Sequence, residues 1–160
     1  MRVRSALFVC MFGSLALAAC GDDDATPPTR ERFVVALTGL AEKPTAVTTT
    51  ATGSAVVTIL SPDSIEWTLN VAGIDSVTAS HFHAGDASVA GPVMFFTFSG
   101  PTTARGITGQ LSTGVATRTS TFTGIFTFDS LLTRIRAGTT YLNVHTRRNA
   151  PGEIRGQVTK

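Results

Sequence analysis

The sequence is poor in cysteine and in charged residues. It has two cysteines in 160 residues, and only 15% of the residues are Asp, Glu, Lys or Arg. Cys10 lies in an N-terminal apolar segment whose removal we expect, so one cysteine remains and an internal disulfide is excluded. Because 42% of the residues are hydrophobic and the mean hydropathy is +0.22, the chain is not disordered and has enough apolar residues for one modest core.

A surplus of positive charge is also missing from the part of the chain that we expect to remain. The formal net charge is +2, but Arg2 and Arg4 lie in the N-terminal segment, and without them 11 basic residues face 11 acidic ones. A nucleic-acid-binding protein needs a basic surface to neutralise phosphates, so we expect no nucleic-acid partner. Lysine and glutamate are scarce, whereas threonine and glycine are abundant, which favours strands and turns over helices.

The N-terminus has the pattern of a secretory signal. Two arginines precede an apolar run over residues 6–19 that is too short to span a bilayer comfortably. The run ends Leu17-Ala-Ala-Cys20, which resembles the lipobox of bacterial lipoproteins, where the signal is cut before a cysteine that carries lipid. This resemblance implies a lipoprotein signal peptide over residues 1–19 and lipidation of Cys20. The alternative is an ordinary signal peptide followed by an incidental cysteine.

Residues 20–32 comprise Cys20 and a flexible linker. Three successive aspartates repel one another, two prolines favour an extended backbone, and no apolar side chain is available for packing. Gly21 follows the cysteine, whereas aspartate at that place is the usual signal for retention in the inner membrane. We therefore expect a lipid-anchored protein of the bacterial cell envelope, on the outer membrane or the periplasmic face rather than the inner membrane.

Residues 33–160 are predicted to form one all-β domain. Apolar stretches recur about every 8–12 residues between Gly, Pro or Asp, a spacing typical of an antiparallel β-sandwich or barrel, Ig-like or superoxide-dismutase-like. Clean alternation over 65–71 places Trp67 on the buried face. One helical turn is predicted at 130–136, as a short linker rather than a core helix. The predicted strands are 33–40, 54–60, 65–71, 77–83, 92–98, 106–111, 121–128, 140–146 and 153–158.

Four motifs follow one another in this domain: His81-Phe-His-Ala-Gly85, Gly91-Pro-Val-Met94, Tyr141-Leu-Asn-Val-His-Thr146 and Gly152-Glu-Ile-Arg-Gly-Gln-Val158. In this order they resemble the CHRD (chordin-type) domain family, and the resemblance covers nearly all of 33–160. It implies an all-β extracytoplasmic domain in a bacterial lipoprotein, without a settled biochemical activity. The segment Arg147-Arg-Asn149 is bulkier than the usual loop of the family.

All three histidines of the chain fall within these motifs. His81 and His83 project from one face of their strand, and His145 projects from the polar face of another. Two imidazoles at i and i+2, with a third from another strand, can form a three-nitrogen site for copper or zinc. The alternative is that the histidines are structural and hydrogen-bond Asn143, Glu153 or the loop backbone. The sequence leaves both interpretations open.

No catalytic motif accompanies the histidines. The sequence lacks Gly-x-Ser-x-Gly, His-Glu-x-x-His and a phosphate-binding Gly-rich loop, which favours a binding domain over an enzyme without excluding the enzyme. The first hypothesis is a membrane-anchored, non-enzymatic interaction module that binds a protein, a glycan or matrix. The alternative is a metal-binding domain that holds copper or zinc with His81, His83 and His145. The sequence does not identify the ligand.

Overall fold

The computed structural model describes residues 30–160. The predicted signal peptide (1–19), Cys20 and most of the predicted linker (20–32) lie outside these residues. Within 30–160, no helix is both long enough and apolar enough to cross a membrane. The elements are β1 (Glu31–Thr38), a 3-10 turn (Gly39–Ala41), β2 (Thr52–Ser61), β3 (Ser64–Ile74), β4 (Val77–Ala84), β5 (Val93–Ser99), β6 (Ile107–Thr117), α1 (Phe128–Arg136), β7 (Thr140–Thr146) and β8 (Ile154–Gln157).

The strands form one antiparallel sheet in the order β5-β4-β7-β8-β1-β2-β3-β6. The two edge strands, β5 and β6, contact each other, so the sheet curls into a nearly closed barrel. The right-handed twist of paired strands favours such curling, and closure protects the edges from pairing with other chains. The predicted all-β antiparallel fold is confirmed.

The interior of the barrel holds the hydrophobic core, because alternate residues of each strand point inward. Trp67 in β3 is 6% exposed, and Leu69 and Val71 on the same face are also buried, as the alternation predicts. The Trp67 ring packs edge-on against Phe82 of β4 and Phe95 of β5, with centroids 6.3 and 5.5 Å away. Because β3 is not paired with either strand, these contacts join opposite walls of the barrel.

The predicted strand at 121–128 is wrong, and the predicted linker helix is a core element. Residues 121–127 are irregular, and α1 begins at Phe128. A capping box fixes this start: the Thr127 hydroxyl accepts from the Ser130 amide, and the Ser130 hydroxyl accepts from the Thr127 amide. The buried positions follow helical spacing, which the Thr/Phe alternation just before them obscured. They are Phe128, Leu131, Leu132 and Ile135.

A second, polar layer lies outside the barrel on β4, β7 and β8. In the register of these strands, His81 is opposite Asn143 and His83 is opposite Tyr141, while Asn143 also faces Arg155. All of these side chains point away from the apolar interior, yet all are buried. The loops 85–92 and 147–153 cover this face, and the candidate functional site lies on it.

Candidate metal centre

The three histidines converge on the outer face of β4 and β7. Ala79 is paired with His145 and His81 with Asn143, so His145 lies diagonally across from His81 on the adjacent strand. One ring nitrogen of each histidine lies within 4.8 Å of the other two. The His81 Nδ1 and His145 Nε2 atoms are 3.0 Å apart. The structure therefore brings together the three residues that the sequence predicts as a set.

Hydrogen bonds to loop carbonyls fix the proton on two of the three rings. His83 Nδ1 is 2.8 Å from the Gly91 carbonyl oxygen, and His145 Nδ1 is 2.8 Å from the Ala150 carbonyl oxygen. A carbonyl only accepts, so each Nδ1 must carry a hydrogen, and each neutral ring keeps its lone pair on Nε2. Histidines that bind metals show the same arrangement, with the second ring nitrogen donating to a carbonyl.

Burial keeps the imidazoles neutral. Desolvation, reinforced by the neighbouring histidines, lowers the pKa of His81 to about 3. Burial likewise lowers the pKa of His83 to about 4, against the opposing hydrogen bond to Gly91, and it lowers the pKa of His145. Within residues 30–160, His83 Nε2 is buried and has no hydrogen-bond partner. A buried nitrogen lone pair without a partner is uncommon, and a bound cation would satisfy it.

Two aromatic rings form walls around the cluster. The Phe96 ring meets His81 edge-on with centroids 4.3 Å apart, and the Tyr141 ring stacks on His83 with centroids 4.7 Å apart. Phe96 is 47% exposed, so it stands between His81 and solvent. These contacts restrict ring rotation, which keeps the nitrogens near one another before any ligand binds.

Gly91 is required where the covering loop returns to the sheet. A Cβ at this position would lie 1.5 Å from the Ala84 carbonyl oxygen, so any other residue would displace the backbone. The Gly91 carbonyl accepts from both His83 and the Tyr141 hydroxyl, and its amide donates to the same hydroxyl. This glycine therefore sets the orientation of the His83 ring.

The rest of the 85–92 loop is held by two side chains of β8. Arg155 is 1% exposed, and its guanidinium donates to the carbonyls of Asp86 and Val89 at 2.6 and 2.8 Å. Gln157 donates to the Gly85 carbonyl at 2.9 Å. Arg155 and Gln157 are therefore positioning residues: they hold the loop whose Gly91 carbonyl orients the His83 ring.

Glu42 and Asn143 are buried neighbours, and the sequence analysis did not identify Glu42 as functional. Glu42 is 3% exposed, and burial raises the pKa of its carboxyl group to about 7. Arg155 and, to a smaller extent, Asn143 oppose the burial effect on the pKa of Glu42, and Asn143 also opposes the burial effect on the pKa of His83. A weak sequence signal existed, because Glu42 ends a mostly apolar segment. Only the tertiary structure buries it.

The other polar residues of the motifs have structural contacts. Glu153 accepts hydrogen bonds from the hydroxyls of Thr49 and Thr146, both at 2.7 Å. Asp86 accepts from the amide and hydroxyl of Ser88 within its own turn. Among the hydrogen bonds of residues 30–160, none joins a histidine to Glu153. The structural interpretation predicted hydrogen bonds from the histidines to the loop backbone, and His83 and His145 form them. Hydrogen bonds of the same kind also orient histidines that bind metals.

The donor set fits a transition metal ion. Neutral imidazole nitrogens are common ligands of both copper and zinc, and three protein ligands leave a coordination position open. With metal–nitrogen bonds of about 2.0–2.1 Å, two nitrogens 3.0 Å apart lie within reach of one ion. Two nitrogens bound to one ion are at most about 4.2 Å apart. The three nitrogens lie within 4.8 Å of one another, so any pair that is farther apart than about 4.2 Å would have to move closer on binding.

Comparison with known proteins places the chain in a family. Residues 33–158 match the model of the CHRD domain, a range that includes all three histidines and both covering loops. No curated protein and no solved structure matches the chain significantly. The match spans most of the sequence and agrees with the four motifs, so the chain belongs to the CHRD domain family.

Proposed function

We propose that this chain is a lipid-anchored protein of the bacterial envelope, whose CHRD domain is a non-enzymatic binding module for copper or zinc. A CHRD domain indicates a small binding module of extracellular type. The choice of a metal ion as the ligand rests on one observation. Ring nitrogens of His81, His83 and His145 lie within 4.8 Å of one another. A bound ion would bring Lewis-acid character to the site and, in the case of copper, redox character.

The chain's own residues support this proposal by preparing the site. Hydrogen bonds to the Gly91 and Ala150 carbonyls direct the Nε2 lone pairs of His83 and His145 away from the loops. Because His145 Nε2 can only accept, His81 Nδ1 donates the 3.0 Å hydrogen bond between the two rings. An ion held by these two nitrogens would replace this hydrogen bond and its proton. Because burial keeps the rings neutral at pH 7, a metal ion would not compete with protons there.

The N-terminal segment supports the location. The lipobox-like Leu17-Ala-Ala-Cys20 and the polar segment after it would leave the domain on a tether, with lipid chains as its membrane contact. Two or more acyl chains give stable anchoring, whereas one chain gives only reversible binding. A tethered domain of this kind would capture its ligand close to the membrane surface.

Metal analysis of the full chain, purified without a histidine tag, tests the proposal. We expect about one copper or zinc ion per chain, and we expect His83→Gln and His145→Gln to lose it. Asn70→Gln provides the control, because Asn70 lies on β3, which is not paired with β4 or β7, and this variant should keep the metal. A folded wild-type protein that neither contains nor takes up Cu(I), Cu(II) or Zn(II) would overturn the metal assignment.

A further inference from the structure

A continuous groove runs between the segment 42–50 and the loop 147–152. Three adjoining cavities of about 280, 380 and 560 Å³ form it, and Arg148 lines all of them. Thr49, Thr50 and Glu153 line two of the three. None of the three histidines lines these cavities, so the groove is separate from the candidate metal centre.

The groove contains positive charge that the rest of the described structure does not neutralise. Arg105, Arg147 and Arg148 line it, and all three are exposed. The ion pairs found within 30–160 involve Arg118, Arg136 and Lys160 instead. In this part of the chain, the guanidinium groups of the three groove arginines have no hydrogen-bond partner from another side chain.

Two of the three acidic side chains of the groove, Glu153 and Asp75, are occupied by other contacts, and the third, Glu42, is buried. Both carboxylate oxygens of Glu153 accept hydrogen bonds from threonine hydroxyls, and Asp75 accepts from the Gly106 amide at 2.5 Å. Arg148 lies close enough to Glu153 to help lower the pKa of that carboxyl group. Arg105 and Arg147 therefore remain available to a ligand. Lys43 also lines the groove and forms no ion pair within residues 30–160, so it adds a further cation.

We propose that this groove binds an oxyanion group, a carboxylate, sulfate or phosphate, of a ligand in the extracytoplasmic space. The planar fork of a guanidinium group matches such oxygens in pairs, and charge-assisted hydrogen bonds of this type are strong. The exposed hydroxyls of Thr48 and Thr50 add neutral donors along the same wall. No aromatic residue lines the three cavities, so recognition rests on the anionic group rather than on stacking against a sugar ring.

The groove lies at the end of the barrel away from the point where the N-terminal segment enters. Glu31 starts β1 and pairs with Arg136 and Lys160, whereas the 3-10 turn that follows β1 bonds through Gly39 to Val47 of the groove wall. The eight residues of β1 extend over about 26 Å. A ligand in the groove is therefore presented on the side opposite to the tether.

Calorimetric titration of the full chain in detergent tests this proposal, after chelator treatment so that no metal ion binds the added anions. The probes are inorganic phosphate, inorganic sulfate and glucuronate at low salt. We expect saturable binding of at least one probe, and an affinity at least about tenfold weaker in the double variant Arg147→Ala/Arg148→Ala, since a lost charge-assisted hydrogen bond costs more than 1.4 kcal/mol. Binding of phosphate or sulfate alone would point to phosphorylated or sulfated ligands, and binding of glucuronate alone to acidic glycans.

The matched control is the double variant Arg30→Ala/Arg32→Ala. Both residues are exposed at the opposite end of the barrel, and their removal changes the net charge by the same amount. This variant should bind the probes like the wild type. Equal weakening in both double variants would show that only overall charge matters and would overturn the proposal, as would the absence of binding to every probe. Binding to vesicles of phosphatidylglycerol without binding to any free probe would also overturn it. Because the metal ion is removed beforehand, these outcomes are independent of the proposed metal binding.

Discussion

The proton positions on His83 and His145 are set by two carbonyl oxygens, those of Gly91 and Ala150. Strand periodicity alone places His81 and His83 on one face, so the sequence already groups these side chains. It does not indicate which ring nitrogen is available, because that depends on how the following loops fold back and place their carbonyl oxygens. The hydrogen bonds of the loops therefore decide the chemistry at this scale.

Gly91→Ala should weaken metal binding without removing any ligand. The added Cβ would displace the backbone whose carbonyl orients His83, and loss of such an orienting contact typically costs about 10–100-fold in metal affinity. The measurement is competition against a chromophoric chelator. Ala87→Ser, at an exposed position of the same loop, is the control and should bind like the wild type. Unchanged affinity in Gly91→Ala would show that the loop does not position the ligand.

Glu42→Gln should stabilise the protein increasingly as the pH rises from about 4.5 to 7. The folded-state pKa of Glu42 is raised to about 7, from an ordinary value of 4.5, by burial, so the wild type loses stability across this interval as the carboxyl group ionises in the unfolded chain. The difference approaches about 3 kcal/mol near neutral pH. The effects of the histidines are common to both proteins and cancel in the comparison.

Denaturant unfolding of the metal-free protein at several pH values measures this difference. Glu66→Gln is the matched control, because it makes the same substitution at an exposed position of β3. A constant difference between Glu42→Gln and the wild type would mean that Glu42 ionises normally in the folded state.

At the scale of elements, the alternation of apolar and polar residues correctly predicted strands that have a neighbouring strand. It was wrong where the segment has no neighbouring strand to pair with. The pattern over 65–71 corresponds to β3, which is paired on both sides by β2 and β6. The similar pattern over 121–128 corresponds to irregular backbone and the first residue of α1. A strand needs a neighbouring strand to satisfy its amide and carbonyl groups. Local sequence cannot show whether one is present.

Leu131→Ala in α1 should lower the free energy of unfolding by about 2–5 kcal/mol, the cost of truncating a buried leucine. Leu131 is fully buried in the core, whereas a linker helix would tolerate the change. Thr133→Ala is the control, because Thr133 is exposed on the same helix and its replacement should cost little. Urea denaturation followed by tryptophan fluorescence measures both, and a loss below about 1 kcal/mol for Leu131→Ala would contradict a core helix.

At the scale of the whole molecule, the barrel separates the start of β1 from the arginine groove. The N-terminal segment enters at Glu31, which pairs with the C-terminal Lys160 and with Arg136 of α1. The arginine groove adjoins the turn after β1, at the other end of that strand. The proposed anchor would join the domain at the end of β1 opposite to the groove, so a ligand of the proposed groove would approach from the side away from the membrane.

Cys20→Ser should abolish lipid attachment, because the thiol of Cys20 is the predicted site of acylation. We expect the variant to partition into the aqueous phase on detergent extraction or to remain uncleaved at its signal sequence, whereas the wild type partitions into detergent. Cys10→Ser provides the matched control, since it removes the other cysteine of the chain and should leave anchoring unchanged. Identical partitioning of Cys20→Ser and the wild type would refute the lipoprotein assignment.

The sequence by itself determined the all-β class, the inward face of β3 and the grouping of His81, His83 and His145, because all three depend on local periodicity and on ordered motifs. Only the tertiary structure decided that 121–128 is not a strand, that α1 joins the core and that Glu42 is buried. It also brought the Gly91 and Ala150 carbonyls to the imidazoles, because the loops after the histidines fold back over the sheet. The core position of α1 and the burial of Glu42 depend on contacts between segments far apart in the chain. The energetic cost of an unpaired strand or a buried carboxyl group arises only from such contacts.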